Sequence, residues 1–343
     1  LEAAENKGVT GRLNVLTATR GIAAMLIVIF HFGLEVFPFS EAQRFFSKGN
    51  MAVSYFFTLS GFIMCYTYYN HPISFKTFIT KRLARIVPVY WLAILLSLFT
   101  IADRTNLFTA LGLNVLFLQS YIPGYALTIN SPGWSLSVEV FFYLLFPFLL
   151  KVYKLYPKRF LIASILFYIV SQIVHLFLVK DTSGSNALHE LVYYHPLGHL
   201  NSFVIGMGGY YVFNTIKTWR SAYTILLIVC TIAVLVWMPY SKHNGMLAPL
   251  FVLLIIGLSK QSASLLTWKP IVLLGEISYG LYILQMPVFI VLADINNAYL
   301  HISYSLFFFL YIALLTIAAG ITYYVIEQPA RMALSAYFKA QKK

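Results

Sequence analysis

The chain has 343 residues, 60% of them apolar and 10% charged, with a mean hydropathy of +0.77. A soluble domain carries about 25% charged residues, so this composition excludes a soluble globular protein and predicts an all-α, polytopic membrane helix bundle. The net charge of +13 raises the question of nucleic acid, but the placement of the cations along the chain answers it differently.

Residues 1–11 precede the first apolar run and read as a disordered end or one added for expression. Residues 12–335 read as a single membrane domain, and 336–343 as a basic cytoplasmic tail. Apolar runs follow at 15–37, 51–69, 86–102, 137–150, 160–179, 197–213, 221–239, 246–259, 271–292 and 303–326, ten candidates near the length that a bilayer needs, of which the fourth is short and reads as a longer span or a re-entrant one. The stretch 107–122, broken by Gly112 and closed by Pro123-Gly124, reads as interfacial or re-entrant. With the N-terminus in the cytoplasm, eighteen of the 24 Lys and Arg fall in inside segments. Arg44, Lys48, Arg104, Lys180 and Lys242 fall outside, and Arg20 lies within the first run. That bias predicts about ten transmembrane helices with both termini cytoplasmic. It also accounts for the basic excess, so no nucleic-acid partner is needed. Cys65 and Cys230 lie far apart in apolar segments and read as unpaired, buried residues.

The first chemistry-bearing pair is Arg20 and His31. Eleven helical residues make three turns plus ~20°, so both side chains share one helix face, ~16 Å apart along the axis. Ionisable residues inside a membrane are costly and mark functional sites. In the predicted orientation Arg20 is about one turn inside the cytoplasmic face and His31 is in the outer half. Arg82 and Arg85 enter the third run at the level expected for Arg20. Three guanidiniums at one level suit phosphates, because each offers a fork of donors. Read alone, Arg82 and Arg85 are ordinary cytoplasmic anchors.

Next comes Asn130-Ser131-Pro132-Gly133-Trp134-Ser135-Leu136-Ser137-Val138-Glu139. Ser followed by Pro is a helix start, which places Glu139 in the first turns of the fourth span, at the level expected for His31. A carboxylate there orients a histidine or acts on a substrate itself. Ser60-Gly61 and Gly206, Gly208 and Gly209 read as close helix packing. His195 and His199 are four residues apart, but Pro196 lies between them and no third ligand accompanies them, so no metal is expected. Glu276 and Glu327 are expected to pair with inner arginines.

In this order the segments resemble acyltransferase family three, the bacterial membrane O-acyltransferases of cell-surface carbohydrates. The matching pieces are the run from Leu16 through Arg20 to His31, Phe56–Ile63, Lys81–Tyr90, Pro132–Glu139, Leu274–Tyr282 and Glu327-Gln328-Pro329. The resemblance implies transfer of an acyl group, usually acetyl, from cytoplasmic acyl-CoA to a sugar hydroxyl, in a multi-pass protein of the bacterial inner membrane. It carries the family's first-span arginine and histidine onto Arg20 and His31, and its Arg-x-x-Arg onto Arg82 and Arg85. Its Trp-Ser-Leu-Ser-x-Glu falls on Trp134, Ser135, Ser137 and Glu139. Ala18 stands where many members have an acid, and Gln285 where many have a histidine. Some members carry an appended soluble transferase domain; at the present length the resemblance implies direct acylation or a separate envelope partner.

The combined reading assigns Arg20, Arg82 and Arg85 to the donor's phosphates and His31, oriented by Glu139, to general-base catalysis. Trp134, Ser135, Ser137 and Gln285 then position the substrate or the oxyanion. Two-step transfer through an acylated His31 or Ser137 stays open. A transporter of acyl groups or lipid-linked glycans is the alternative from another class. A scaffold would leave Arg20, His31 and Glu139 unexplained. Acceptor sugar, acyl group and oligomeric state are left open.

Overall fold

The computed structural model describes residues 2–37, 39–71, 74–100, 105–180, 186–238, 244–261 and 265–340. Of the cations used for orientation, Arg104, Lys242, Lys342 and Lys343 lie outside the described residues, as do the side chains of Lys7, Arg12, Lys180 and Lys339. The described residues form helices and turns, with no strand among them. In chain order the helices are α1 (Glu2–Phe32), α2 (Ser40–Phe46), α3 (Met51–Tyr68), α4 (Phe75–Leu98), α5 (Leu107–Val115), α6 (Trp134–Leu155), α7 (Pro157–Lys180) and α8 (Asn186–Tyr194). They continue as α9 (Pro196–Thr215), α10 (Ser221–Trp237), α11 (Ala248–Ser259), α12 (Lys269–Glu276), α13 (Ser278–Ile295), α14 (Tyr304–Thr322) and α15 (Gln328–Ala340).

Six described helical stretches are long and apolar enough to cross a membrane: Asn14–Phe32, Met51–Tyr68, Ser131–Leu155, Pro157–Val179, Ser278–Leu300 and Tyr304–Phe338. Lipid leaves no water for exposed backbone groups, so helices of this composition satisfy them internally. The remaining expected runs are helical as well, in α4, α9, α10 and α11. Three boundaries differ from expectation. α4 begins at Phe75, capped by the Ser74 hydroxyl accepting from Thr77 N at 3.3 Å. Arg82 and Arg85 therefore sit in its second and third turns, not at its entrance. The run 271–292 breaks at Ile277 into α12 and α13. The last run passes through a π-helical turn, Tyr323–Glu327, before α15.

The chain forms two compact units. The first comprises Leu1–His71, Leu150–Val174 and His199–Ser278. Here α1 packs against α3, α11 and α12. α3 and α9 meet backbone to backbone: a Cβ on Gly61 would strike the Phe203 carbonyl, and one on Gly206 the Thr58 carbonyl. This is the small-residue packing that membrane helices favour. Lys260 Nζ donates to Ile216 O at 2.9 Å, placing a cation at the C-terminal end of α9. Cys65 and Cys230 are free thiols.

The second unit comprises Pro72–Leu149, His175–Gly198 and Tyr279–Lys343. Its core is aromatic, with Phe78 stacked on Phe146 at 5.3 Å and Phe289 edge-on to Tyr311 at 5.3 Å. α4 is flanked by α15 and by the short α5.

Candidate functional site

In the first unit, α1 is unbroken from Glu2 to Phe32, so Arg20 and His31 do share one face. Arg20 is half-buried and His31 is exposed in the last turn, its ring tilted between those of Phe30 at 5.1 Å and Phe32 at 5.8 Å. Beside Arg20, Thr19 Oγ1 donates to Leu16 O at 2.9 Å and accepts from the Tyr55 hydroxyl at 2.5 Å, which locks α1 to α3.

The second unit gathers the charged residues of α4, α6 and the π-helical turn. Tyr143, one turn after Glu139 on α6, donates its hydroxyl to Glu139 Oε2 at 2.7 Å. The Arg82 guanidinium lies 5.7 Å from the ring centroids of both Phe78 and Tyr143, a cation–π distance. Arg85 Nε is 3.8 Å from Glu327 Oε1, and Arg85 also interacts electrostatically with Tyr143, Glu139 and Tyr279. Arg331 Nη1 reaches the same Glu327 oxygen at 3.6 Å. The expectation that Arg82 and Arg85 lie at a different level from Glu139 is thereby corrected. The early start of α4 carries both arginines deeper along the helix, where they meet α6. Glu327 pairs with arginine as expected, and the π-helical turn ends on it. Glu276 is exposed, and no ion pair is recorded for it among the described residues.

A second buried polar layer surrounds the start of α6. Gln119 Nε2 donates to Gly133 O at 2.8 Å and to the Tyr90 hydroxyl at 3.0 Å. Tyr90 in turn donates to Asn114 Oδ1 at 2.9 Å, and Ser120 Oγ donates to Trp134 O at 2.8 Å. The segment read as interfacial thus supplies the side chains that hold the entry of α6. Ser135 Oγ and the Tyr282 hydroxyl both donate to Pro132 O, at 3.0 and 3.2 Å. Gln285 Nε2 folds back onto Tyr282 O at 2.6 Å, and Gln285 O accepts from Tyr311 at 3.0 Å. The Ser137 hydroxyl is fully buried and has no hydrogen-bond partner among the described residues. Trp134 is buried, edge-on to Tyr194 at 5.2 Å.

Asn130 shows how the two elements are joined. Pro287 lacks an N–H, so the carbonyl of Ile283, four residues earlier in α13, loses its helical donor. Asn130 Nδ2 supplies one, at 2.9 Å. Asn130→Ala is expected to destabilise the protein by about 1–3 kcal/mol, because it strands a buried carbonyl. In a Pro287→Ala background the helix provides its own donor, and the cost should shrink. Thermal unfolding of the four proteins in detergent measures this; an equal cost in both backgrounds rejects the assignment.

The structure thus brings Arg82, Arg85 and Glu139 together, and groups Trp134, Ser135, Ser137 and Gln285 around the start of α6 and α13. Arg20 and His31 belong to the first unit. Sequence reading missed Tyr143, Asn130 and Arg331. The Glu139–Tyr143 spacing of four was the available signal for the first. His199 is buried with its ring 5.2 Å from that of Phe57, and the His195 ring is edge-on to Tyr121 at 5.4 Å.

Comparison with known proteins bears on the chemistry. The acyltransferase MdmB of Streptomyces mycarofaciens is 31% identical over 163 residues, 43% of this chain and 42% of that protein. YrhL of Bacillus subtilis, provisionally named a peptidoglycan O-acetyltransferase, is 24% identical over 92% of this chain and 54% of its own length. The O-acetyltransferase OatA of Staphylococcus aureus is 23% identical over 92% of this chain and 57% of its own. The chain therefore spans about half the length of these curated relatives. No solved structure matches it. The model of the acyltransferase domain of family three matches residues 13–324, a span that takes in Arg20, His31, both arginines of α4, the start of α6 and Gln285; the chain belongs to that family.

Proposed function

We propose that this chain is a membrane O-acyltransferase moving an acyl group, acetyl by preference, from acyl-CoA at the cytoplasmic face to a hydroxyl of a cell-envelope or exported carbohydrate. Its setting is the bacterial inner membrane, with ten spans and both termini cytoplasmic. The observation that carries the reading is the cluster of Arg82, Arg85, Glu139, Tyr143 and Glu327 among apolar helices of a chain in the acyltransferase family. Charges in such surroundings are expensive and are kept for function.

Arg20, Arg82 and Arg85 are assigned to the phosphates of the donor. His31 accepts the proton of the acceptor hydroxyl as that oxygen attacks the thioester carbonyl. The tetrahedral adduct collapses, the C–S bond breaks, and the proton passes from His31 to the departing thiolate. The products are an acyl ester and free CoA. Glu139, held by Tyr143 in the second unit, is assigned to act on the substrate itself. Trp134, Ser135, Ser137 and Gln285 position the reactants. Of the two serines, Ser135 is committed to Pro132 O, whereas the buried Ser137 hydroxyl has no partner among the described residues. That makes Ser137 the better donor to the oxyanion. MdmB, YrhL and OatA carry acyltransferase or O-acetyltransferase names, which supports the reaction class.

The test is transfer or hydrolysis of labelled acetyl-CoA by purified protein in detergent, together with mass spectrometry of surface glycans from a deletion strain and its parent. Loss of a glycan acyl ester in the deletion identifies acceptor and acyl group. A purified protein that neither transfers nor hydrolyses the donor points to transport and rejects the proposal.

A further inference from the structure

Arg331 has no role in the reaction as drawn, yet it shares the Oε1 oxygen of Glu327 with Arg85, at 3.6 and 3.8 Å. Glu327 is 3% exposed, Arg85 27% and Arg331 50%, so one buried carboxylate oxygen is shared by a more buried and a more exposed guanidinium. Neither contact is as short as a charge-assisted hydrogen bond, about 2.7–2.9 Å. Each guanidinium carries N–H donors beyond the one that faces Glu327, and a phosphate can accept from those. Around this point three guanidiniums, those of Arg82, Arg85 and Arg331, face two carboxylates, Glu139 and Glu327. Arg331, half exposed, is the member of this cluster that an anion arriving from outside the unit can reach.

We propose that Arg331 reads the ribose 3′-phosphate of the coenzyme A donor. This rests on the donor assignment above. That phosphate belongs to the nucleotide end, remote from the thioester, and Arg331 is the most exposed of the three arginines. Arg85, deeper in the unit, then serves the pyrophosphate side. A guanidinium suits the task because its planar fork matches phosphate oxygens in pairs.

The experiment compares acetyl-CoA with 3′-dephospho-acetyl-CoA in steady-state transfer by the full chain in detergent. The wild type is expected to show a KM lower for acetyl-CoA by about tenfold, the worth of one charge-assisted contact. Arg331→Ala should remove that preference by raising KM for acetyl-CoA alone, with kcat little changed, and Arg331→Lys should restore part of it. If Arg331 serves only as an i,i+4 staple for α15, Arg331→Ala will lower the melting temperature and affect both donors equally, which overturns the proposal. A wild type that uses both donors equally overturns it too, while leaving the acyl-CoA reading intact. A wild type that uses neither overturns both.

Discussion

His31→Ala is expected to lower acyl transfer by about 10²–10⁴-fold, the usual worth of a general base, with the protein still folded. His31 is exposed in the last turn of α1 and touches the rings of its neighbours Phe30 and Phe32. Its removal opens no cavity, so lost activity reports lost chemistry. The loss should fall on kcat, with KM for acetyl-CoA close to that of the wild type, because Arg20, Arg82 and Arg85 remain. A folded His31→Ala protein with wild-type transfer removes His31 from the mechanism. The same assay tests Glu139. If Glu139 acts through His31, the double variant His31→Ala/Glu139→Gln loses no more than His31→Ala alone. Full additivity instead gives Glu139 a separate task, in keeping with the hydrogen bond it accepts from Tyr143.

The helices were legible because hydropathy alone decides where a chain can lie in lipid: among the described residues each expected apolar run is mostly helical, with 271–292 divided between α12 and α13. The true start of α4 was hidden, because its first turns carry Lys76, Lys81, Arg82 and Arg85 and hydropathy does not count them. That one boundary misplaced the arginines relative to Glu139. Helical periodicity did suffice for Arg20 and His31, since nothing interrupts α1 between them. The bond from Asn130 to Ile283 was beyond reach, because it joins residues 153 apart and its need arises only where Pro287 has removed a donor. The break at Ile277 and the π-helical turn before Gln328 fall inside runs that hydropathy reads as continuous.

Gly275→Leu is expected to be the most damaging single substitution to the first unit, costing about 3 kcal/mol or more as an overpacked core does. A Cβ at Gly275 would lie on the carbonyl of Thr17, and one at Gly21 would lie 2.7 Å from Gly275 N. The two glycines face each other, so the backbones of α1 and α12 are in contact with no side chain between them. A backbone carbonyl cannot swing aside as a side chain can, and the helices must part. This contact lies at Thr17 and Gly21, on either side of Arg20, so parting the helices also shifts the residue assigned to the donor. Melting temperature in detergent and donor KM should therefore worsen together. Gly112 provides the control: a Cβ there meets open space. Gly112→Ala in α5 should leave stability unchanged or raise it by about 0.5–1 kcal/mol through the backbone entropy that glycine loses on folding. If Gly275→Leu melts with the wild type, the α1–α12 contact is not what holds Arg20 in place.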